Sequence, residues 1–351
     1  MEVCSLSSNA KKALAIGGGV LVLALGAYLL LGGRDENPLL EAITPSPDTC
    51  PLTGEEPRDD SALDRAAVAV KIENAAVAYP LSGLEDADIV FEEVVEGGAT
   101  RFLAIYHCSD SSKAGPVRSA RAVDPAIMLP VTRLLAFSGA NAPVMKALEE
   151  HDVVILDESS ANGGLQRVPR DGVSSEHTLY ANSRKLRRVG EKEFDDAPDD
   201  IFDFGDREGR SRKARTITIS FSGATTVGYE WSGDEWLRTQ NGEPLVAETG
   251  DQIAVDNVLV EAHEVNLSDT IVDVAGNPST EIADETGSGR SVLFRDGRAI
   301  AGTWTRESVE DAVVFETRAG DEMVFAPGSI WIHLVPNGAS EVEGSFEYAR
   351  R

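Results

Sequence analysis

The chain reads as an α+β protein: a mixed α/β lobe, then a mostly β lobe, both behind a single N-terminal transmembrane helix. Three observations predict this. Residues 13–33 form a run of 21 residues without a charged side chain. Between residues 61 and 205, short apolar strand patterns alternate with helix-start signals. From residue 214 to about 340 the patterns are those of strands and tight hairpins. All four tryptophans lie in that half, and no helix of normal length is visible there.

The apolar run comes first. At about 1.5 Å per residue a helix of this length covers roughly 30 Å, the thickness of a bilayer core. Lys11 and Lys12 precede it, while Arg34, Asp35 and Glu36 lie just beyond it. The positive-inside rule makes residues 1–12 a cytoplasmic stub, which places the bulk of the chain outside the cell. A cleaved signal has a shorter apolar core and a small-x-small exit, whereas this run ends Leu31-Gly32-Gly33. A lipid-anchored protein needs a cysteine just after the run; Cys4 lies before it and Cys50 far beyond. A buried soluble helix is rarely apolar all round at this length.

Residues 34–60 are rich in Pro, Asp, Glu and Thr and read as a spacer ending in a tight turn at Cys50-Pro51-Leu52-Thr53-Gly54. Residues 66–72 are a buried-strand pattern broken only by Lys71. Residues 87–95 and 101–108 are two β-rich runs joined by a glycine-bearing link, a hairpin pattern. Asp124-Pro125 resembles a helix cap with proline at the first helical position, and Pro130 shortens or kinks that helix. Short strands are expected at 135–137 and 153–156, a helix at 143–150, and a basic surface helix behind a serine cap at 183–189. Residues 195–213, dense in charge, read as an interdomain linker. Beyond them, 216–221 alternates strictly, Asn241-Gly242 and Asp296-Gly297 are two-residue hairpin turns, and 253–265, 291–294 and 330–335 add strands.

Composition bounds the function. A net charge of −27 on 351 residues argues against nucleic acid, since phosphate backbones need basic patches. It also argues against an ectodomain lying flat on an anionic membrane. The 24 arginines against 8 lysines fit either solubility in high salt or a GC-rich coding sequence. Phosphate-loop, zinc-helix, nucleophile-elbow and Cys-x-x-Cys patterns are missing, and the five histidines are scattered. No metal and no cofactor is expected. With Cys4 on the cytoplasmic side, Cys50 and Cys108 are left as a candidate disulfide; the alternative is two separate thiols.

The chemically dense tract runs from Glu92 to Asp124. Pleat alternation puts Glu92, Val94 and Glu96 on one face and Glu93 on the other. Arg101 opens the returning strand near Glu96. Arg118 and Arg121, three apart, face one way if that segment makes a helical turn, with Ser119 and backbone N–H groups helping to hold an anion. The functional reading is a cleft whose arginines grip a carboxylate or phosphate. The structural one is a Glu–Arg network locking hairpin to loop. His177, beside Glu176 and ahead of Tyr180, is either a base or a residue that pins a loop.

The same tract carries a resemblance. Cys50-Pro51-Leu52-Thr53-Gly54, residues 82–90, Glu96-Gly97-Gly98-Ala99-Thr100-Arg101-Phe102 and Gly115-Pro116-Val117-Arg118-Ser119-Ala120-Arg121 resemble the YerB-like bacterial lipoprotein family. So do Ser175-Glu176-His177-Thr178-Leu179-Tyr180, residues 292–304, and Trp331-Ile332-His333-Leu334-Val335-Pro336. The resemblance covers about residues 48–340 and implies a cell-surface or secreted protein with no activity to carry over. This chain departs from the family in having no lipid-accepting cysteine after its apolar run, so attachment by helix is expected. Two functions are open. The first is a tethered envelope protein that binds a polar or anionic cell-wall component or an envelope protein partner through Arg101, Arg118, Ser119, Arg121, Glu92, Asp124 and Tyr180. The second is a hydrolase or transferase on wall polymers, with Glu96 or His177 as base.

Overall fold

Glycine-rich turns and short apolar strands in the sequence become, in the computed structural model, a mostly β fold with few helices. The structure describes residues 49–206, 209–273 and 276–350. Residues 13–33, the stub before them and most of the spacer lie outside the described residues. Among those described, no helix is long and apolar enough to cross a membrane.

The first half supplies strands β1 (Val68–Asn74), β2 (Ile89–Val94), β3 (Thr100–Tyr106), β4 (Leu134–Ala136) and β5 (Val154–Leu156), with helices α1 (Asp124–Met128), α2 (Ala142–Glu150) and α3 (Ser183–Gly190). The second half supplies β6 (Thr216–Ser220), β7 (Thr226–Trp231), β8 (Trp236–Gln240), β9 (Asn257–His263), β10 (Gly287–Arg295), β11 (Arg298–Arg306), β12 (Val314–Thr317), β13 (Ile330–Pro336) and β14 (Ser345–Ala349). One eleven-stranded sheet runs β12-β11-β10-β9-β13-β2-β3-β1-β4-β5, with Arg212–Lys213 paired to β11. β13 lies parallel to both β9 and β2, so the second half is joined to the first by backbone hydrogen bonds. A six-stranded sheet, built on β8-β7-β6-β14, covers one face of the main sheet.

Every residue of β1, β2 and β13 is buried, as expected of strands covered on both faces. Toward the second sheet, Val90, Phe102 and Trp331 meet Ile217, Ile219, Tyr229 and Trp236. Toward the other side, Phe91, Leu103 and Ile332 meet Val123, Ile127 and Phe315. The described residues form one contact unit.

Local expectations translate unevenly. Asn241, Gly242, Asp296 and Gly297 all have positive φ, as two-residue hairpin turns require, and they close β8 and the β10–β11 pair where the sequence places them. The Cys50 turn forms, Gly54 N–H donating to Cys50 O at 2.7 Å, and Cys50 is joined to Cys108 by a disulfide. α1 stops before Pro130, but Asp124 does not cap it: its carboxylate accepts the Arg121 N–H and pairs with Lys71. The cap of α3 is Asn182, one residue earlier than the serine, accepting the Lys185 N–H at 3.0 Å. Nor is α3 simply a surface helix, because Arg187 is buried against Asp110 and the Ala66 and Tyr106 carbonyls. Within the charged 195–213 segment, Asp203–Phe204 pairs with Val324–Phe325, and Phe202 enters the core. β14 adds a strand beyond residue 340, bound to β6.

Candidate functional site

Register places the charges of the main sheet in a row. Glu73 of β1 lies opposite Arg101 of β3, which lies opposite Glu93 of β2. Lys71 shares their face, two residues before Glu73. The segment before α1 folds across that face. Arg118 N–H donates to Lys71 O at 2.9 Å, Ser138 N–H to Arg118 O at 3.0 Å, and Ala120 N–H to Gly139 O at 3.0 Å. These bonds make residues 117–120 extended, which corrects the expected helical turn: Arg118 and Arg121 are delivered by a segment laid along the sheet. Gly115 permits the approach. It has φ +143°, and a Cβ there would sit 2.9–3.2 Å from Val117, Leu179 and Tyr180.

Each carboxylate of this face has a partner, although Glu93 Oε2 is buried without a hydrogen bond among the described residues. Buried Lys71 pairs with Glu93 and with Asp124. Glu96 pairs with Arg121 and accepts the Ser279 hydroxyl at 2.7 Å. Glu73 lies 3.4 Å from Arg118 Nε and 2.7 Å from His177 Nδ1. Arg118 Nη1 donates to Glu176 O at 3.0 Å, and the Glu176 carboxylate is 3.4 Å from His177 Nε2. Arg101 is left over. Its Nη1 is buried with no hydrogen-bond partner among the described residues, as is Arg121 Nε. Burial lowers the Arg101 pKa to about 10, and the neighbouring Arg121 and Arg118 push the same way. Burial also raises Glu93, whereas for Glu96 the opposing burial is outweighed by Arg121, and its carboxyl is held below the usual range.

The structure therefore brings together Glu96, Arg101, Arg118, Arg121, Asp124 and His177. Ser119 contributes its carbonyl, which accepts from Arg121 Nη1 at 3.1 Å. Tyr180 is buried at the margin with the Lys113 ammonium 4.5 Å from its ring centre, and desolvation raises its pKa. Two corrections concern faces. Glu96 is not on the Glu92 side: β2 ends at Val94, and the turn at Glu96–Gly98 ends the strand alternation and turns Glu96 to Arg121. Glu92 is absent from the cluster, because it points to the second sheet. There its Oε1 accepts from Thr100 (2.7 Å), Arg238 (3.1 Å) and Asn74 (3.2 Å), and its Oε2 lies 3.0 Å from Arg238 and from His333. Lys71 and Glu73 are site residues that sequence reasoning missed. Their signal was present, as a lysine inside a fully apolar strand has to find a carboxylate. Among the described residues no group of three or more His, Cys, Asp or Glu is placed to hold a metal ion.

Comparison with known proteins fits this architecture. Residues 52–196 match the N-terminal domain, and residues 217–332 the C-terminal domain, of a family described as of unknown function (DUF3048). YerB of Bacillus subtilis (strain 168), named as a candidate lipoprotein, is 27% identical over 305 residues, covering 83% of this chain and 88% of that protein. The chain belongs to the YerB-like family. The crystal structure of YerB from Bacillus subtilis superposes with a TM-score of 0.68 at 25% identity, over 85% of this chain and 98% of that one.

Proposed function

We propose that this YerB-like chain is a non-catalytic protein of the cell envelope, held by residues 13–33, that captures a carboxylate or phosphate group of a wall component or envelope partner on Arg101, Arg118 and Arg121. One observation carries the reading: Arg101 Nη1, buried without a hydrogen-bond partner among the described residues, is flanked by Arg118 and Arg121, each with a buried Nε in the same state. Buried donors are nearly always satisfied, and an anion is the partner this one lacks. The Cys50–Cys108 disulfide supports an oxidising, extracytoplasmic setting. The hydrolase or transferase reading has less behind it. Glu96 is held by Arg121 and Ser279, while both ring nitrogens of His177 face carboxylates, so neither stands ready as a base.

The test is calorimetric titration of the full chain, in a neutral detergent, with inorganic phosphate and with acetate. Binding of either is expected, weakened about tenfold or more in Arg101→Gln, the loss of one charge-assisted hydrogen bond. No heat with either anion, or equal affinity in the variant, overturns the reading. Turnover of purified wall polymer abolished by His177→Ala would replace it with the enzymatic one.

A further inference from the structure

The arginine cluster does not stand alone on its face of the sheet. Next to it lies an apolar cavity of about 50 Å³, floored by Phe91, Ile332 and Leu334, with Trp304 and Ile127 among its walls. Between the two is a narrower hollow of about 10 Å³. Val123, Ile282 and Leu334 border both cavities, and the hollow ends on Glu93 and Arg121. Register gives the span. Arg101, Glu93, Leu334 and Glu261 occupy one row across β3, β2, β13 and β9, three strand spacings or roughly 14 Å. At the far end His263 lies 3.1 Å from both Glu261 and Asp284, Arg306 donates to the Ser308, Val309 and Asp311 carbonyls, and burial raises the pKa of Glu285 toward its neutral form, so that end disfavours a second charged group.

We propose that the ligand is an amphiphile: its anionic group meets Arg121, which borders the hollow, and Arg101, which lies in register beside Glu93, and its alkyl chain runs along the sheet face so that its end enters the Phe91–Ile332–Trp304 cavity. The inference rests on the anion-binding reading above and adds the chemical class. Each half of the arrangement is otherwise unexplained. An unfilled apolar hollow forfeits packing, and a buried unmet cation forfeits hydrogen bonds; one molecule with a charged end and an apolar end satisfies both. Glu96 couples them. It takes Arg121 on one side and the Ser279 hydroxyl on the other, while Thr280 donates to Val94 O. An anion that draws Arg121 from Glu96 therefore loosens the Pro278–Ile282 strand that roofs the passage.

The experiment is a chain-length series. Methyl, butyl and hexyl phosphate, with hexanoate and hexanol as head-group controls, are titrated into the full chain in neutral-lipid nanodiscs, and empty discs are subtracted. Affinity is expected to rise about tenfold or more from methyl to hexyl phosphate as methylenes are buried. Hexanoate in place of hexyl phosphate distinguishes a carboxylate from a phosphate head; hexanol is expected to bind at least about tenfold more weakly than either. Ala126→Phe, which fills the cavity, should abolish the chain-length dependence and leave methyl phosphate binding unchanged. Arg101→Gln should weaken all the phosphates alike. The wild-type series needs no variant to fold. If methyl and hexyl phosphate bind equally, the amphiphile is wrong while the anion site stands. If hexanol matches hexyl phosphate, the cavity does not act with the arginines and the proposal fails. If neither the phosphates nor hexanoate binds, both readings fall together.

Discussion

Glu92 and Glu93 are neighbours on β2, yet they face opposite sides of one sheet and meet different surroundings. Glu92 is sealed between two sheets, with both oxygens against Arg238 and further contacts from Thr100, Asn74 and His333. Arg238 itself lies 4.9 Å from the Trp331 ring centre and 3.0 Å from the Tyr229 hydroxyl. Glu93 looks onto Lys71, Asp124, Arg101 and Arg121, where buried Arg101 Nη1 and Arg121 Nε have no hydrogen-bond partner among the described residues. The two faces carry similar residue types. What separates them is crowding: Glu92 meets one guanidinium through both oxygens, and that pair holds two layers together, whereas on the other face three guanidiniums lie close enough to disfavour one another.

The largest effect that would break this contrast is on the sealed face. Arg238→Ala leaves Glu92 buried without its main counter-ion, and urea unfolding should register a loss of about 3–5 kcal/mol. A loss below about 1 kcal/mol would mean that the second sheet is not held by this pair. Folded Arg238→Ala should still bind phosphate as the wild type does.

Next in size are two pH dependences with opposite signs. The Glu92 carboxyl, ordinarily near 4.5, is lowered to about 2: burial opposes this, but Arg238 and His333 outweigh it. A depressed carboxyl contributes stability that is present above its ordinary pKa and lost as pH falls, here between 4.5 and about 2, on the order of 3 kcal/mol. His263, on the other face, moves from 6.5 to about 9. Burial lowers it, while the bonds to Asp284 and Glu261 raise it further. That contribution is present below pH 6.5 and disappears as pH climbs through about 9, again on the order of 2–3 kcal/mol. Unfolding midpoints measured across both windows, in wild type, Glu92→Gln and His263→Asn, should flatten on the acid side only and on the alkaline side only, respectively. Flattening on the wrong side would reassign the charge networks.

The smallest effect sharpens the comparison most. Arg101→Leu removes a charge that burial and two like neighbours already disfavour, so stability should change by less than about 1 kcal/mol while anion binding is lost. A large destabilisation would make Arg101 a structural residue like Arg238.

Legibility tracked range. The hairpin turns at Asn241-Gly242 and Asp296-Gly297, the turn at Cys50, the β2–β3 hairpin and the stop of α1 before Pro130 are local, and each was readable because a few residues set their own φ and hydrogen bonds. The cluster of Arg101, Arg118 and Arg121 was half readable. Residue types and proximity in the chain pointed to it, but the expected helical turn did not, since the backbone of 117–120 is claimed by Lys71, Leu179 and Gly139. Alternation does not predict the face of Glu96, because it holds only while a strand lasts and β2 ends at Val94.

By itself the sequence determined the composition-level character of the protein, its hydrocarbon-length segment at 13–33, its turns, and which charged residues had to find partners once their strands were buried. Tertiary structure alone decided that β13 lies between β9 and β2, that Glu92 and Arg238 meet across 146 residues, and that Arg101, Arg118 and Arg121 meet on one face. The reason is physical. Turn geometry and periodicity are properties of a few consecutive residues, whereas the partner of a buried charge is chosen by whichever distant strand packs against it.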